Sequence, residues 1–538
     1  MNAVIPHACA EPAPHSGTGA LRAAGPWRVT AAVPALEPVA DTVRALLSPH
    51  LPGRLPPAGD DVPGARTLHL ALDDAPPPPP RATAGVAPDG GERPADESHR
   101  LRITADGISC LARTPEGVFR AATTAVQLLA TAPEDGELPY QELTDAPRHA
   151  WRGLMVDPAR SFLTPDELRR IIDLAALYKL NVLHLHLTDN EGWRLGLPGV
   201  PGLTETGADG APPAFYTAAD YRALQEYAAR RFVTVVPEID LPGHCRTLRQ
   251  ALPGLAEAPA PDGLRDRFPF VPPLDLTDAA TRGTVARILT EVCALTTGPY
   301  IHIGGDEAFG ATEESFAASV RELLAIVRES GKRPVGWQES SRAGLGPGDI
   351  AQHWVDVPMM DLPDTPEELA ARPELVAAGR TMEINRALKT FFAPTDDDVT
   401  RIVEAGARVL LSPQSHLYLD RPYATRFAPS DRAEATARLG FGGYRPLGVQ
   451  HTASWDPSAY GLPDECVAGV EATVFAEQFK GFDDVSVLLL PRLASVAEAA
   501  WCGHAPRWPE YRERLAHHAR LWTARALPYF PTTEVPWR

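Results

Sequence analysis

Cysteine is scarce and scattered in this sequence: Cys9, Cys110, Cys245, Cys293, Cys466 and Cys502 form no close pair and no metal-ligand spacing. That excludes a disulfide scaffold and points to free thiols in a reducing compartment. Lysine is scarcer still. Lys179, Lys332, Lys389 and Lys480 are the only four among 51 basic residues, so Schiff-base chemistry has few candidates. No basic block offsets the net charge of −18, and a phosphate backbone needs a positive footprint, so no nucleic-acid partner is expected. A membrane-spanning run of about 18 apolar residues is also missing, so no membrane partner is expected. The opening stretch, MNAVIPHACAEPAPHSGTGALRAAGPW, has neither the basic start nor the continuous apolar segment of a secretory signal; a cytoplasmic location is the expectation. No G-x-G-x-x-G follows a strand-like run and no GK[ST] loop occurs, so the usual nucleotide sites of open α/β sheets are missing and no cofactor is expected.

What is present suits a large globular chain. Of 538 residues, 44% are apolar and 22% charged, enough for a sizeable core and two to four domains. The 56 prolines are in marked excess, which predicts many rigid loops. Residues 1–26, rich in Ala, Pro and Gly, read as a disordered tail. Residues 27–147 hold strand-like alternations (WRVTAAV, TLHLALD, HRLRITADGISCLAR) and one helical stretch, GVFRAATTAVQLLAT, the pattern of a small α+β domain. Five consecutive prolines, Pro76 to Pro80, predict an extended, exposed loop within it.

From 148 to 538 the texture changes. Eight short apolar or β-branched runs (RGLMVD, NVLHLHLTD, VTVVPEID, YIHIGGDE, RPVGWQE, DIAQHWV, RVLLSP and CVAGVEATVF) alternate with amphipathic helical segments. This is the rhythm of a (β/α)₈ TIM barrel, whose active residues stand where strands end and loops begin. The strand ends here carry Arg152 and Asp157; His184, His186 and Asp189; Glu238, Asp240 and His244; His302, Asp306 and Glu307; then Trp337, Trp354, Tyr418, Asp420 and Glu477. Carboxylates and indoles around one rim suit a sugar ligand, because indole faces stack on the C–H faces of pyranose rings.

Single features leave alternatives open. Gly304 and Gly305 allow a sharp turn that brings the adjacent acids Asp306 and Glu307 into one cleft with divided proton affinities, but Asp306 could instead cap the next helix. His184 and His186 share one strand face and, with His244, His302 and Asp306, could ligate a metal; satisfied core histidines are the favoured reading, with no metal. Trp193, Trp337 and Trp354 could each simply pack beneath loops.

Taken in order, RGLMVDPARSF, HLHLTDNEGWR, VVPEIDLPGH, IHIGGDEA, GWQE and LSPQSHLYLD resemble the signature segments of glycoside hydrolase family 20, the β-N-acetylhexosaminidases. The preceding TDAPRHAWRG resembles that family's junction between an α+β domain and its barrel. The resemblance implies an exo-acting, retaining enzyme in which the 2-acetamido group of the substrate is the nucleophile. It implies that Glu307 is the general acid/base, that Asp306 orients the acetamido N–H, and that Tyr418 holds the acetamido oxygen. Trp337 and Trp354 would wall the methyl group. Arg152, Asp420 and Glu477 would bind sugar hydroxyls, and Asp189, Asp240, His244 and His302 would support Glu307. The implied partner is a small-molecule or oligosaccharide glycoside.

The sequence departs from the family pattern at several points. Phe475 stands where a sugar-binding tryptophan is usual, Tyr444 is the nearest aromatic for another, and Pro158, Ser161, Asn190 and Glu191 replace typical residues. Residues 356–390 read as an enlarged loop or helix pair near the pocket. Two other roles therefore stand beside the first: a specialised intracellular glycosidase acting on an aminosugar metabolite or wall fragment, and a non-catalytic sugar-binding barrel.

Overall fold

The computed structural model describes residues 3–7, 13–14, 19–56, 62–73, 83–133, 136–205, 214–260, 270–356, 362–377, 379–424 and 437–538. The loop at Pro76 to Pro80 lies outside them.

The first domain is a mixed sheet of six strands in the order β1-β8-β5-β6-β4-β3, made of Ala13–Pro14 (β1), Trp27–Ala31 (β3), Arg66–Leu72 (β4), His99–Thr104 (β5), Gly107–Ala112 (β6) and Gln141–Asp145 (β8). Ala20–Arg22 (β2) and Glu137–Pro139 (β7) form a separate pair. Strict alternation in β5 turns His99, Leu101 and Ile103 inward, which is why one face can carry helices. Two helices cover it, where the sequence suggested one. Pro115–Thr131 starts on the Thr114 hydroxyl, which accepts from the Gly117 N–H, and Glu37–Leu47 packs beside it.

The expected N-terminal tail is corrected by the structure. Ile5 is fully buried, and the Gln127 side chain accepts from its N–H (2.8 Å) and donates to its carbonyl (2.6 Å). Arg514 donates to the Val4 carbonyl at 2.7 Å, and the His518 ring lies 2.7 Å from that of Ala3. Apolar Val4 and Ile5, with the Ala3, Val4 and Ile5 carbonyls and the Ile5 N–H met by buried side chains, tie this segment down.

The second domain is a closed barrel of eight parallel strands: Trp151–Val156 (β9), Val182–His186 (β10), Thr234–Glu238 (β11), Tyr300–His302 (β12), Arg333–Trp337 (β13), Ile350–His353 (β14), Arg408–Leu411 (β15) and Val467–Val474 (β16). These are the eight runs read from the sequence. Every residue of β9, β10 and β16 is buried, as expected for strands covered by helices outside and side chains within. The first barrel helix, Pro165–Leu177, opens on a capping box between Thr164 and Glu167. Between β14 and β15 the chain adds Pro366–Ala370, Pro373–Ala377 and Met382–Phe392, three helices where a loop or helix pair was expected. Among the described residues no single helix is long and apolar enough to cross a membrane, and the five described cysteines carry no disulfide.

Candidate active site

The site is built at the carboxyl ends of the barrel strands, and glycine makes its centre possible. Gly304 and Gly305 take positive φ values of 72° and 91° just after β12. A Cβ at Gly304 would collide with the Asp240 carboxylate, so only glycine lets this turn pass. Asp240 Oδ1 in return accepts from the Gly305 N–H at 3.1 Å. The turn delivers Asp306 and Glu307 into one cleft. Glu307 (φ 39°) and His244 (φ 43°), which face each other, are both non-glycine residues in the left-handed region, where strain persists only if the surroundings impose it.

From Glu307 a chain of alternating imidazoles and carboxylates runs into the barrel. His244 Nε2 lies 3.8 Å from Glu307, and its Nδ1 lies 3.2 Å from Asp189. Asp189 meets His186 Nε2 at 3.0 Å, and His186 Nδ1 meets Glu238 at 2.6 Å. Glu238 accepts from the Trp337 indole N–H at 2.8 Å and contacts His302 and His184 at 3.1 Å each. His184 continues to Glu471 (2.7 Å), which accepts from the Trp151 indole (2.9 Å). Three sets of these side chains could geometrically hold an ion: His184, Glu238 and His302; His186, Asp189 and Asp240; Asp240, His244 and Asp306. His186 bonds both Asp189 and Glu238, and Asp189 also bonds His244, whereas His184 Nε2, His244 Nε2, His302 Nε2 and Asp306 Oδ1 are buried without a hydrogen-bond partner.

The network divides the proton affinities. Burial pushes the Glu307 carboxyl above the ordinary range, with His244 and Arg160 opposing. Burial, then the neighbouring Asp240, drives Asp306 well above its usual value. Asp240 itself rises to about 7 through burial. Burial disfavours the His244 cation, but Asp189 and Asp240 outweigh it and hold His244 protonated. Asp189 stays ionised against burial because His244 and Arg160 flank it. The result is a pair of adjacent acids with raised proton affinity beside a fixed imidazolium.

An aromatic wall completes the pocket. Trp337, Trp354 and Tyr418 share one buried cluster, with Phe475 and Tyr444 packed against it. Trp354 and Tyr418 stack at 6.1 Å and 15°, Trp337 meets Trp354 edge-on at 6.5 Å, and Phe475 lies 5.5 Å from Tyr418. Burial pushes the Tyr418 hydroxyl well above the ordinary phenol range and keeps it protonated. Asp306 Oδ1 and Asp420 Oδ1 are buried without partners; burial and the nearby Glu477 raise Asp420 to about 8. Glu477 stands at the solvent-exposed mouth. Trp193 belongs to the main core instead, donating to the Leu195 carbonyl at 2.7 Å.

One expected residue is misplaced. Arg152 is not in the pocket: it lies near the amino end of β9, fully buried, with Glu97 of the first domain at 3.0 and 2.6 Å and the Lys179 carbonyl at 2.8 Å. Strand starts face away from a barrel's active rim. The pocket arginine is Arg160, beyond the carboxyl end of the same strand, bridging Asp157 (2.8 Å) and Asp189 (2.6 Å) with its guanidinium 5.4 Å from the Phe475 ring. Sequence reasoning also assigned no role to Glu339, which accepts from the Trp354 indole at 3.1 Å and raises its own proton affinity by burial beside Asp306. Glu471 was missed too.

Comparison with known proteins agrees with this geometry. The pattern of the glycosyl hydrolase family 20 catalytic domain matches residues 149–504, and that of the family's domain 2 matches residues 12–146. A beta-N-acetylhexosaminidase of Cellulomonas fimi is 36% identical over 455 residues, spanning 82% of each chain. Among solved structures, a glycoside hydrolase family 20 beta-N-acetylglucosaminidase superposes with a TM-score of 0.73 at 30% identity, covering 100% of both chains. The Streptomyces plicatus N-acetyl-beta-hexosaminidase bound to thio-NAglucal gives a TM-score of 0.75 at 28% identity, covering 100% of this chain and 98% of that one. With both of its domains matched in order, this chain belongs to glycosyl hydrolase family 20.

Proposed function

We propose that the protein is an exo-acting, retaining β-N-acetylhexosaminidase that uses the substrate's own acetamido group as nucleophile. The observation that carries this reading is the buried, unpartnered Asp306 Oδ1 beside the wall of Trp337, Trp354 and Tyr418. An acetamido group seated there would donate its N–H to Asp306, accept the Tyr418 O–H on its carbonyl oxygen, and bury its methyl against indole. Glu307 then protonates the glycosidic oxygen as the carbonyl oxygen attacks the anomeric carbon and the aglycone leaves. The positive charge of the resulting oxazolinium ion offsets the burial that raises Asp306 and favours its ionised form, which balances that charge. Glu307, now ionised, takes a proton from water, which attacks the anomeric carbon and restores the configuration. Arg160, Asp420 and Glu477 bind the outer hydroxyls, and the unpartnered Asp420 oxygen gains a donor.

The direct test is release of 4-nitrophenol from the N-acetyl-β-D-glucosaminide and galactosaminide, followed against pH. Glu307 must enter protonated, so kcat/KM falls as pH rises through its pKa. Because burial raises that pKa, the basic limb is expected above the ordinary glutamate value of about 4.3. Turnover of neither epimer contradicts the reading.

The two arginines predict opposite phenotypes. Arg152→Ala leaves the buried Glu97 with the Arg120 guanidinium alone (2.7 Å) and should cost at most about 3–5 kcal/mol of stability, with KM of the folded fraction unchanged. Arg160→Ala should lower kcat/KM by roughly 10- to 100-fold through lost charged hydrogen bonds, with a smaller change in Tm. Thermal melts and steady-state kinetics separate the two.

A further inference from the structure

At the end of β13 three consecutive residues converge on one indole, that of Trp354 at the end of β14. Trp337 is itself part of the aromatic wall and meets Trp354 edge-on. Gln338, fully buried, accepts the backbone N–H groups of Trp354 and Val355 on its side-chain oxygen at 2.9 Å each. Its amide nitrogen lies 3.3 Å from the fully buried Asp398, which also accepts from the Ser341 hydroxyl at 2.7 Å. Glu339, buried as well, accepts the Trp354 indole N–H on Oε2 at 3.1 Å. Trp354 is thus fixed at its backbone by one residue and at its ring by the next.

The apolar contacts of that ring do not by themselves choose its orientation. Trp354 stacks on Tyr418 and has the Phe392 ring edge-on at 5.9 Å and 79°. Contacts between ring faces and edges survive a half-turn about the second side-chain torsion, which has two broad wells for an aromatic. An indole is not symmetric, so the half-turn exchanges its benzo edge for its pyrrole edge and reshapes the wall. The Glu339 contact separates the two states: the N–H meets its acceptor in the orientation seen, and a buried N–H that loses its acceptor is costly.

The carboxyl needs no charge for this. Its other oxygen, Oε1, is buried without a hydrogen-bond partner. Burial, then Asp306 and Asp398, raise its proton affinity well above the usual carboxylate range, so glutamine is its close mimic. We propose that Glu339 is a positioning residue that sets which N-acyl groups the pocket accepts: by holding the Trp354 ring in one orientation it favours acetyl over longer chains. This rests on the hexosaminidase reading, which seats the acyl methyl against this wall, and adds the residue that decides the length of the acyl group.

The test compares kcat/KM for 4-nitrophenyl β-D-glucosaminides carrying N-acetyl and N-propionyl groups in the full-length protein. One extra methylene in a closed apolar pocket should cost the unmodified protein about 10- to 200-fold. Glu339→Leu frees the ring to turn aside and should shrink that preference by about tenfold. Glu339→Gln keeps an acceptor for the indole and should retain the preference. Both rates come from one preparation, so their ratio does not depend on the fraction that folds; Glu339→Met is a second variant without an acceptor. A glutamate with a structural role alone would lower Tm and both rates together and leave the ratio unchanged. That result would overturn the proposal, as would a glutamine variant no more selective than the leucine one, or an unmodified protein indifferent to the extra methylene. Failure of the unmodified protein to turn over the N-acetyl substrate would instead overturn the underlying reading.

Discussion

Glu307→Gln is expected to reduce kcat/KM for an alkyl or oligosaccharide N-acetyl-β-glucosaminide by about 10²–10⁴-fold, the usual share of general acid–base catalysis. Glutamine fills the same volume beside His244 and keeps the turn at Gly304 and Gly305, so the fold should be intact and Tm nearly unchanged. The loss is a lost proton, and it should shrink for a substrate whose aglycone departs without protonation, such as 2,4-dinitrophenolate. The basic limb of the pH profile should vanish with it, since the group that titrates there is gone. Kinetics on leaving groups of graded acidity measure this. A uniform loss across the series would assign Glu307 to binding rather than proton transfer.

Asp306→Asn is expected to cost about 10²–10³-fold in kcat, the scale seen when a group aimed at developing charge is removed. Asparagine can still accept one hydrogen bond, so binding of the N-acetyl sugar should weaken less than turnover. What disappears is the negative charge facing the oxazolinium ion. A variant that loses affinity and rate in equal measure would contradict the role.

Much of this was legible in the sequence for a definite reason. Parallel barrel strands are buried on both faces, so β9, β10 and β16 stand out as apolar runs, and their polar residues mark the rim. Asp306, Glu307, Asp189, His244, Trp337, Trp354 and Tyr418 were found that way. Arg152 and Arg160 lie eight positions apart in one motif, and strand polarity alone distinguishes them: the start of β9 belongs to the domain interface, its end to the pocket. Glu471 was hidden because a charge in the middle of CVAGVEATVF reads as strand, and its inward turn toward His184 is set by barrel closure. Tyr444 lies 6.3 Å from Tyr418 although the two are far apart in sequence and no shared motif joins them. The helix Glu37–Leu47 went unread although its apolar positions follow a helical spacing.

The central claim is that the nucleophile belongs to the substrate. It is tested most directly by measuring kcat/KM for aryl β-glucosaminides whose N-acetyl group carries none, one, two and three fluorines. Each fluorine withdraws electron density from the carbonyl oxygen while leaving the sugar and aglycone unchanged. If that oxygen attacks the anomeric carbon, the rate falls steeply and monotonically along the series. A flat series would contradict the account.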